Sequence, residues 1–338
     1  MVGKKRARPY IGITMGDPAG IGPEIILKAL SRESIYRQAV PVVLGDGTIL
    51  SRAKGYVGAA VDIRRVDSPA QATGRFGVVE VLDLRNIDPE MCIPGVLSAE
   101  AGRAAVAYVS KAIDLALAGE LDAVVTAPIN KEAMHRAGYP YAGHTEIFAE
   151  RTETRNYALM LVAGRFRVLH VSTHVSLREA CERVKKERVL QVIRLAHAVG
   201  AVWRLETPRV AVAGLNPHAG EQGLFGQEER DEIAPAVAAA RTEGIDARGP
   251  LPPDTLFHRA SRGEFDFVVA MYHDQGHIPV KLSGFERGVN VTVGLPIIRT
   301  SVDHGTAFDI AGKGTASPRS LLEAIRLAIR MARHRRLQ

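Results

Sequence analysis

Apolar residues in this chain come in short runs that give way abruptly to glycine, proline or a polar side chain. Tyr10 to Thr14, Pro41 to Leu44, Val78 to Leu82 and Ala123 to Thr126 read as strands of a parallel sheet, since strands covered on both faces carry near-continuous apolar residues. Tyr157 to Val162 and Arg167 to Val171 read as a strand pair. Between these runs the apolar spacing turns helical. It is clearest from Ala99 to Ala118, with Ser98 as N-cap and Gly119 as stop. Further helices are expected at Glu24 to Leu30, up to Ala137, and at Leu177 to Val184, Val189 to Val202, Glu228 to Arg241 and Pro318 to Ala332. Asp254, after a proline-rich turn, reads as another N-cap. Ile49 to Phe76 carries no clear pattern. Strands alternating with helices predict an α/β protein, and 338 residues predict two lobes rather than one core.

Three more apolar runs end in the same way. Val168 to Val171, Val210 to Gly214 and Phe267 to Ala270 lead into His174, His218 and His273. Ligands of open α/β sheets bind at the carboxyl edge of the strands, so three histidines delivered there suggest convergence on one divalent metal. A single histidine after a strand is ordinarily a core or surface residue. Here each has small or polar neighbours: Thr173; Asn216 and Pro217; Asp274, Gln275 and Gly276. The ligands are too far apart in sequence for a compact zinc-finger pattern.

Gly16, Gly20 and Gly22 form a turn between the first strand and a helix with Pro23 at its start, an arrangement that either holds an anion or simply makes a tight turn. The spacing is not G-x-G-x-x-G, so a standard Rossmann fingerprint is absent. Prolines and glycines bracket Lys131, His144 and Thr145, which places them on loops.

Composition narrows the function classes. With 46% hydrophobic and 24% charged residues the chain is an ordinary soluble one, and no run approaches the roughly 18–20 apolar residues of a membrane span. A cytoplasmic protein is expected, without membrane association. Cys92 and Cys181 form no disulfide framework and read as packing residues. The net charge of +7 is concentrated in Lys4 to Arg8 and Arg326 to Arg336, and aromatics are scarce at 5%, so no nucleic-acid partner is expected. An anionic small molecule accounts better for the interior cations.

Five stretches together resemble the 4-hydroxythreonine-4-phosphate dehydrogenase family: Gly16 to Glu24, Gly143 to Glu146, Leu215 to Glu221, Met271 to Gly276 and Arg299 to Thr306. The resemblance covers most of the chain. It implies an isocitrate/isopropylmalate dehydrogenase-like fold, two α/β/α lobes with a cleft between them: residues 1–135 with 280–338 binding NAD, and 136–279 binding metal and dimerising. It implies His174, His218 and His273 as ligands of the divalent metal, His273 coming from the neighbouring subunit of a homodimer with a shared active site. It implies His144, Thr145, Lys281, Asn290 and Arg299 as substrate contacts. The segment from His304 to Gly314 resembles an adenosine-binding loop, with His304, Gly305, Thr306 and Asp309 as NAD contacts.

The implied activity is oxidation, with decarboxylation, of a small 4-phosphorylated hydroxy acid. An all-histidine shell suits zinc, with manganese or cobalt as alternatives, better than magnesium, which prefers oxygen. Lys281 and Asp274 both remain open as proton carriers. The stretch Asp274 to Pro279, with His277 where the vitamin B6 enzymes commonly carry an apolar residue, is similar to the paralogues that oxidise D-threonate or D-erythronate 4-phosphate. The alternative is 4-hydroxythreonine 4-phosphate, in pyridoxal phosphate synthesis. A non-catalytic phosphate- or metal-binding protein on the same fold is the rival of another class, and it has no need of both a metal trio and an adenosine loop.

Overall fold

The computed structural model describes residues 8–284 and 287–335; of the basic stretches above, Lys4 to Ala7 and Arg336 lie outside them. In chain order the strands are β1 (Tyr10–Thr14), β2 (Val40–Gly45), β3 (Asp62–Val66), β4 (Val78–Asp83), β5 (Ala123–Thr126), β6 (Ala158–Ala163), β7 (Phe166–His170), β8 (Val210–Ala213), β9 (Ala247–Leu251), β10 (Phe267–Ala270), β11 (Val289–Val293) and β12 (Arg299–Val302). The chain divides into two compact units, Met1–Thr154 with Leu295–Gln338, and Arg155–Gly294. The lobe boundaries read from the sequence lay at 135/136 and 279/280. Among the described residues no helix is long and apolar enough to cross a membrane.

In the first unit the strands run β3-β4-β2-β1-β5-β12, all parallel. β2, β5 and β12 are buried throughout; β2 and β5 read as apolar runs for that reason, whereas β12 carries Arg299, Thr300 and Ser301 and gives no such signal. The featureless stretch holds the helix Gly47–Val57 and the edge strand β3, whose Asp62, Arg64 and Arg65 blur the apolar signal. Asp46 caps that helix, accepting hydrogen bonds from the Thr48 and Ile49 N–H groups. The long helix Ala99–Leu117 begins where expected, with Ser98 Oγ accepting the Ala101 N–H. Its Val106, Val109 and Ile113 pack with Ile147 and Phe148 in a common core.

The glycine turn is closed by its own chain rather than open to a ligand. Residues 15–24 are buried, and a Cβ on Gly22 would stand 2.0 Å from Met15 O. From here the helix Gly22–Leu30 grips the segment after β12. Ile21 N–H donates to Thr306 O (3.0 Å), Glu24 Oε1 accepts the Gly312 N–H (2.5 Å), and Lys28 Nζ donates to Gly314 O (2.8 Å) and Ala316 O (2.6 Å).

In the second unit the order is β11-β6-β7-β10-β8-β9. β6 is antiparallel to both β7 and β11, the expected strand pair included; β7, β10, β8 and β9 are parallel. The three histidine-delivering strands are therefore neighbours, β10 between β7 and β8, over a core of Leu161, Val168, Ala211, Leu256 and Val268. Asp254 is not an N-cap. The helix Pro253–Ser261 starts one residue earlier, at a proline whose missing N–H is no loss there, and Asp254 sits in its first turn.

Gly102 tests the packing in the first unit, because an added Cβ would stand 2.2 Å from Ala133 O. In an open helix Gly→Ala gains about 0.8–1 kcal/mol. Here the backbone contact reverses the sign, and Gly102→Ala should cost about 1–3 kcal/mol. Thermal unfolding followed by circular dichroism should show a lowered Tm; an unchanged or raised Tm would contradict the packing described.

Candidate active site

The carboxyl edge of β7, β10 and β8 collects imidazoles. His170, the last residue of β7, is 1% exposed, and burial together with the neighbouring His277 pushes its pKa down to about 3. Its Nδ1 lies 3.3 Å from Leu159 O, which places the proton there and leaves Nε2 as a lone pair with no hydrogen-bond partner. A Cβ at residue 276 would stand 2.3 Å from that Nε2, so only glycine fits in Gln275-Gly276-His277. His277 is itself buried. Its Nδ1 donates to His273 O (3.0 Å), and its ring stacks on His273 with centroids 3.7 Å apart and planes 10° from parallel. Burial, then His273, lowers its pKa to about 4, so it is neutral at pH 7.

His273 opens the helix His273–Gly284. Its Nδ1 faces Asp274 Oδ1 at 2.6 Å, a bond that also holds the Asp274 carboxyl below its usual range. His174 lies across from it with ring centroids 5.7 Å apart. Thr173, His174, Ser176, Tyr272, His273 and Asp274 help to line a cavity of about 490 Å³. On the helix, His273, His277 and Lys281 recur every four residues and share one face. Asn290, on β11, pairs in register with Leu161.

His218 sits apart in conformation. It begins a run of left-handed residues, His218 to Gln222, inside the turn Pro217–Gly223. Among the described residues, one chain does not gather three histidine, cysteine or acidic side chains into a metal-holding group. His174 and His273 are brought close; His218 does not complete the set within the chain.

In the first unit Arg299 opens β12 and is 3% exposed. Its guanidinium donates to Thr126 Oγ1 (3.0 Å) and reaches Thr145 Oγ1 (3.5 Å), with the Phe148 ring centre 5.6 Å away. Burial lowers its pKa only to about 10, so it stays cationic. His144 and Thr145 are not on a loop: they form the first turn of the helix His144–Arg151, entered through Gly143, whose extended backbone lets the helix start at once. Burial, then the Arg299 charge, drives the His144 pKa well below normal, and its Nε2 is buried without a partner. A buried cation beside a helix N-terminus makes an anion-accepting corner. Lys131 likewise begins a helix, Lys131–Arg136, capped by the Asn130 side chain on Ala133 N–H.

His304, Gly305, Thr306 and Asp309 lie in the turns after β12, in the segment gripped by Ile21, Glu24 and Lys28. Sequence reasoning passed over two groups. His170 is hidden inside an apolar run, where strand periodicity alone reads it as core. Asp17 was noted only as part of a glycine-rich motif; it is fully buried, its Oδ1 accepts the Ala19 N–H (2.9 Å), and burial raises its pKa to about 6.

A family model described as "Pyridoxal phosphate biosynthetic protein PdxA" matches residues 37–328. The D-threonate 4-phosphate dehydrogenase of Cupriavidus necator is 51% identical over 97% of this chain and 98% of its own. A crystal structure of a 4-hydroxythreonine-4-phosphate dehydrogenase from Burkholderia phymatum is 50% identical, with a TM-score of 0.85 over 96% of this chain and 99% of that one. A β-decarboxylating dehydrogenase from Thermococcus kodakarensis shares the fold alone, at 16% identity and a TM-score of 0.50 over 95% of this chain and 81% of its own.

The buried imidazoles fix how metal-free protein responds to acid. His144, His170 and His277 are held neutral in the fold, whereas in the unfolded chain they take up protons below about pH 6.5. Their contribution is therefore complete above that pH and is lost as pH falls toward about 4. Asp17 acts oppositely: its raised pKa makes the fold take up a proton below about pH 6, before the unfolded chain does. The histidines outnumber it, so stability should fall by about 1–3 kcal/mol between pH 6 and 5. Urea denaturation in the presence of a chelator measures this. An equal or higher midpoint at pH 5 would contradict the buried neutral rings.

Proposed function

The chain belongs to the PdxA family of dehydrogenases, and on that premise we propose that it oxidises, with NAD and a divalent metal, a 4-phosphorylated hydroxy acid. D-threonate 4-phosphate or D-erythronate 4-phosphate is the substrate in this reading, and the product loses carbon dioxide. The observation that carries it is the cluster of imidazoles at the strand edge of the second unit, beside a cavity, together with a buried arginine for an anion in the first unit.

The residues fit a metal. Three imidazoles are the donor set of a first-row ion such as zinc, with metal–nitrogen bonds of about 2.0–2.1 Å. Asp274 Oδ1 accepts the Nδ1–H of His273 and so leaves the Nε2 lone pair for the metal, the support that metal-bound histidines ordinarily have. His174, His218 and His273 would hold the ion, zinc by donor type, with manganese, cobalt or magnesium as alternatives. When bound, it supplies Lewis acidity to the substrate hydroxyl and, after oxidation, to the developing enolate.

Completion of the shell by a second copy is supported by what surrounds each histidine. Leu177 follows His174, Leu224 and Phe225 follow His218, and Ile278 and Leu282 follow His273; all are exposed, Leu282 by 85%. Large apolar side chains repeatedly exposed beside ligand-bearing segments suit a homodimer with shared sites.

The chain's own groups divide the remaining work. Arg299, with Thr145 and His144, binds substrate charge, and Asn290 and Lys281 hold its polar substituents. Asp274 is committed to His273 and is a weak base there, so Lys281 Nζ is the better proton carrier. His304, Gly305, Thr306 and Asp309 would hold NAD, on the segment that Glu24 and Lys28 fix by hydrogen bonds. The first unit thus serves as the NAD-binding lobe and the second as the metal-binding one.

A second reading, 4-hydroxythreonine 4-phosphate, is favoured by the family's name, pyridoxal phosphate biosynthetic protein, and by the likeness to the Burkholderia 4-hydroxythreonine-4-phosphate dehydrogenase. The two identities, 51% and 50%, do not choose. Because His277 is neutral, it does not act by repelling the substrate ammonium; it bears on the choice through shape, by seating His273. NADH absorbance on D-threonate, D-erythronate and 4-hydroxythreonine 4-phosphates, each with Zn²⁺, Mn²⁺ or Co²⁺, decides it. The expected result is a kcat/KM for one of the sugar-acid phosphates higher by an order of magnitude or more. Preference for the amino acid phosphate would return the chain to the second reading, and no NADH from any of the three would sink both.

A further inference from the structure

The segment that presents His218 has a backbone that local preference does not sustain. His218 (φ 52°), Ala219 (φ 55°), Gly220 (φ 80°), Glu221 (φ 42°) and Gln222 (φ 57°) follow one another in left-handed conformation. Non-glycine residues visit that region singly and at a cost, so a run of them persists only when its surroundings dictate it. One side chain meets this segment from several directions.

Glu229 is 5% exposed and opens a π-helical turn, Glu229–Ile233. Its Oε1 accepts the backbone N–H groups of Leu215 and Asn216, both at 2.7 Å, and its Oε2 accepts Asn216 Nδ2 at 2.9 Å. The Asn216 amide is also tied to Glu228 Oε2 at 2.7 Å. Just downstream, the Ala219 N–H donates to Asn216 O (3.1 Å), so the fixed asparagine is the first rung of the left-handed turn. The carboxylate also excludes side chains from both flanks. A Cβ on Gly220 would stand 2.6 Å from Oε2, and one on Gly214 3.2 Å from Oε1.

We propose that Glu229 is a positioning residue: it orients the end of β8 and the left-handed turn so that His218 is presented as a ligand. The proposal rests on the reading of His218 as a metal ligand, and it adds a residue that touches neither metal nor substrate. A carboxylate suits the role, since it accepts from three N–H donors at once, whereas an amide of the same shape must turn an NH₂ group toward at least one of them.

The test uses full-length Glu229→Gln, Gly220→Ala and His218→Ala beside the wild type. Amide hydrogen exchange is read over residues 214–223, and Co²⁺ binding through its visible absorption. Glu229→Gln should speed exchange in that segment at least tenfold and weaken Co²⁺ binding about ten- to a hundredfold, with turnover recovered at saturating Co²⁺. Gly220→Ala approaches the same contact from the other side and should give the same signature, which covers the case in which Glu229→Gln does not fold. Wild-type exchange and wild-type Co²⁺ affinity in a folded variant would overturn the proposal. If His218→Ala keeps wild-type affinity, the ligand reading falls, and exchange alone decides the rest: faster exchange in Glu229→Gln sustains its hold on the turn, unchanged exchange removes it.

Discussion

Burial of uncharged imidazole at one strand edge is the constraint on which the second unit depends. His170 and His277 are packed so tightly against each other and against Gly276 that neither can hold a proton near neutrality. Neither is a proposed ligand; being neutral, they put no positive charge beside His273, which stacks on His277 and lies near His170. The strand order makes this possible. With β10 between β7 and β8, all parallel, the chain leaves three neighbouring strands on the same side, and the helix His273–Gly284 turns His277 back onto His273. His277 thus acts less as a charge than as a plate that sets the plane of a ligand ring.

The first unit solves a different problem with the same economy of parts. Its glycine-rich turn has the appearance of an anion cradle, yet close packing fills it with its own backbone. What it provides instead is a row of donors and acceptors, from Ile21 through Glu24 to Lys28, along the helix that faces the segment after β12. A loop fixed at several points can bind a long, flexible cofactor without first losing much freedom of its own. Arg299 shows a further device: the guanidinium remains charged in a buried setting because its pKa starts very high and the Glu146 charge opposes the effect of burial, while the Thr126 hydroxyl and the Phe148 face hold it in place.

Much of this was legible in the sequence where one rule dominated. Strands covered on both faces, such as β2, β5 and β8, read as apolar runs, and the ends of β7, β8 and β10 drew attention to His174, His218 and His273, of which the structure brings His174 and His273 close. Where two rules competed, the reading slipped. Asp254 has the chemistry of a cap, but Pro253 starts its helix sooner; His144 and Thr145 have the glycine and proline neighbours of a loop, but Gly143 launches a helix directly. His170 and Glu229 were invisible for another reason. Their importance comes from what lies across the strand edge or some fourteen residues away, and no local period encodes a contact of that kind.

The central claim is that the metal shell is completed by two copies of the chain, His174 and His218 coming from one and His273 from the other. Mixing inactive His174→Ala with inactive His273→Ala protein, under conditions where exchange of subunits is verified by mass spectrometry, tests it most directly. Hybrid dimers should regain activity, approaching one intact site for each hybrid. Verified hybrids with no recovered turnover would contradict a site shared between subunits.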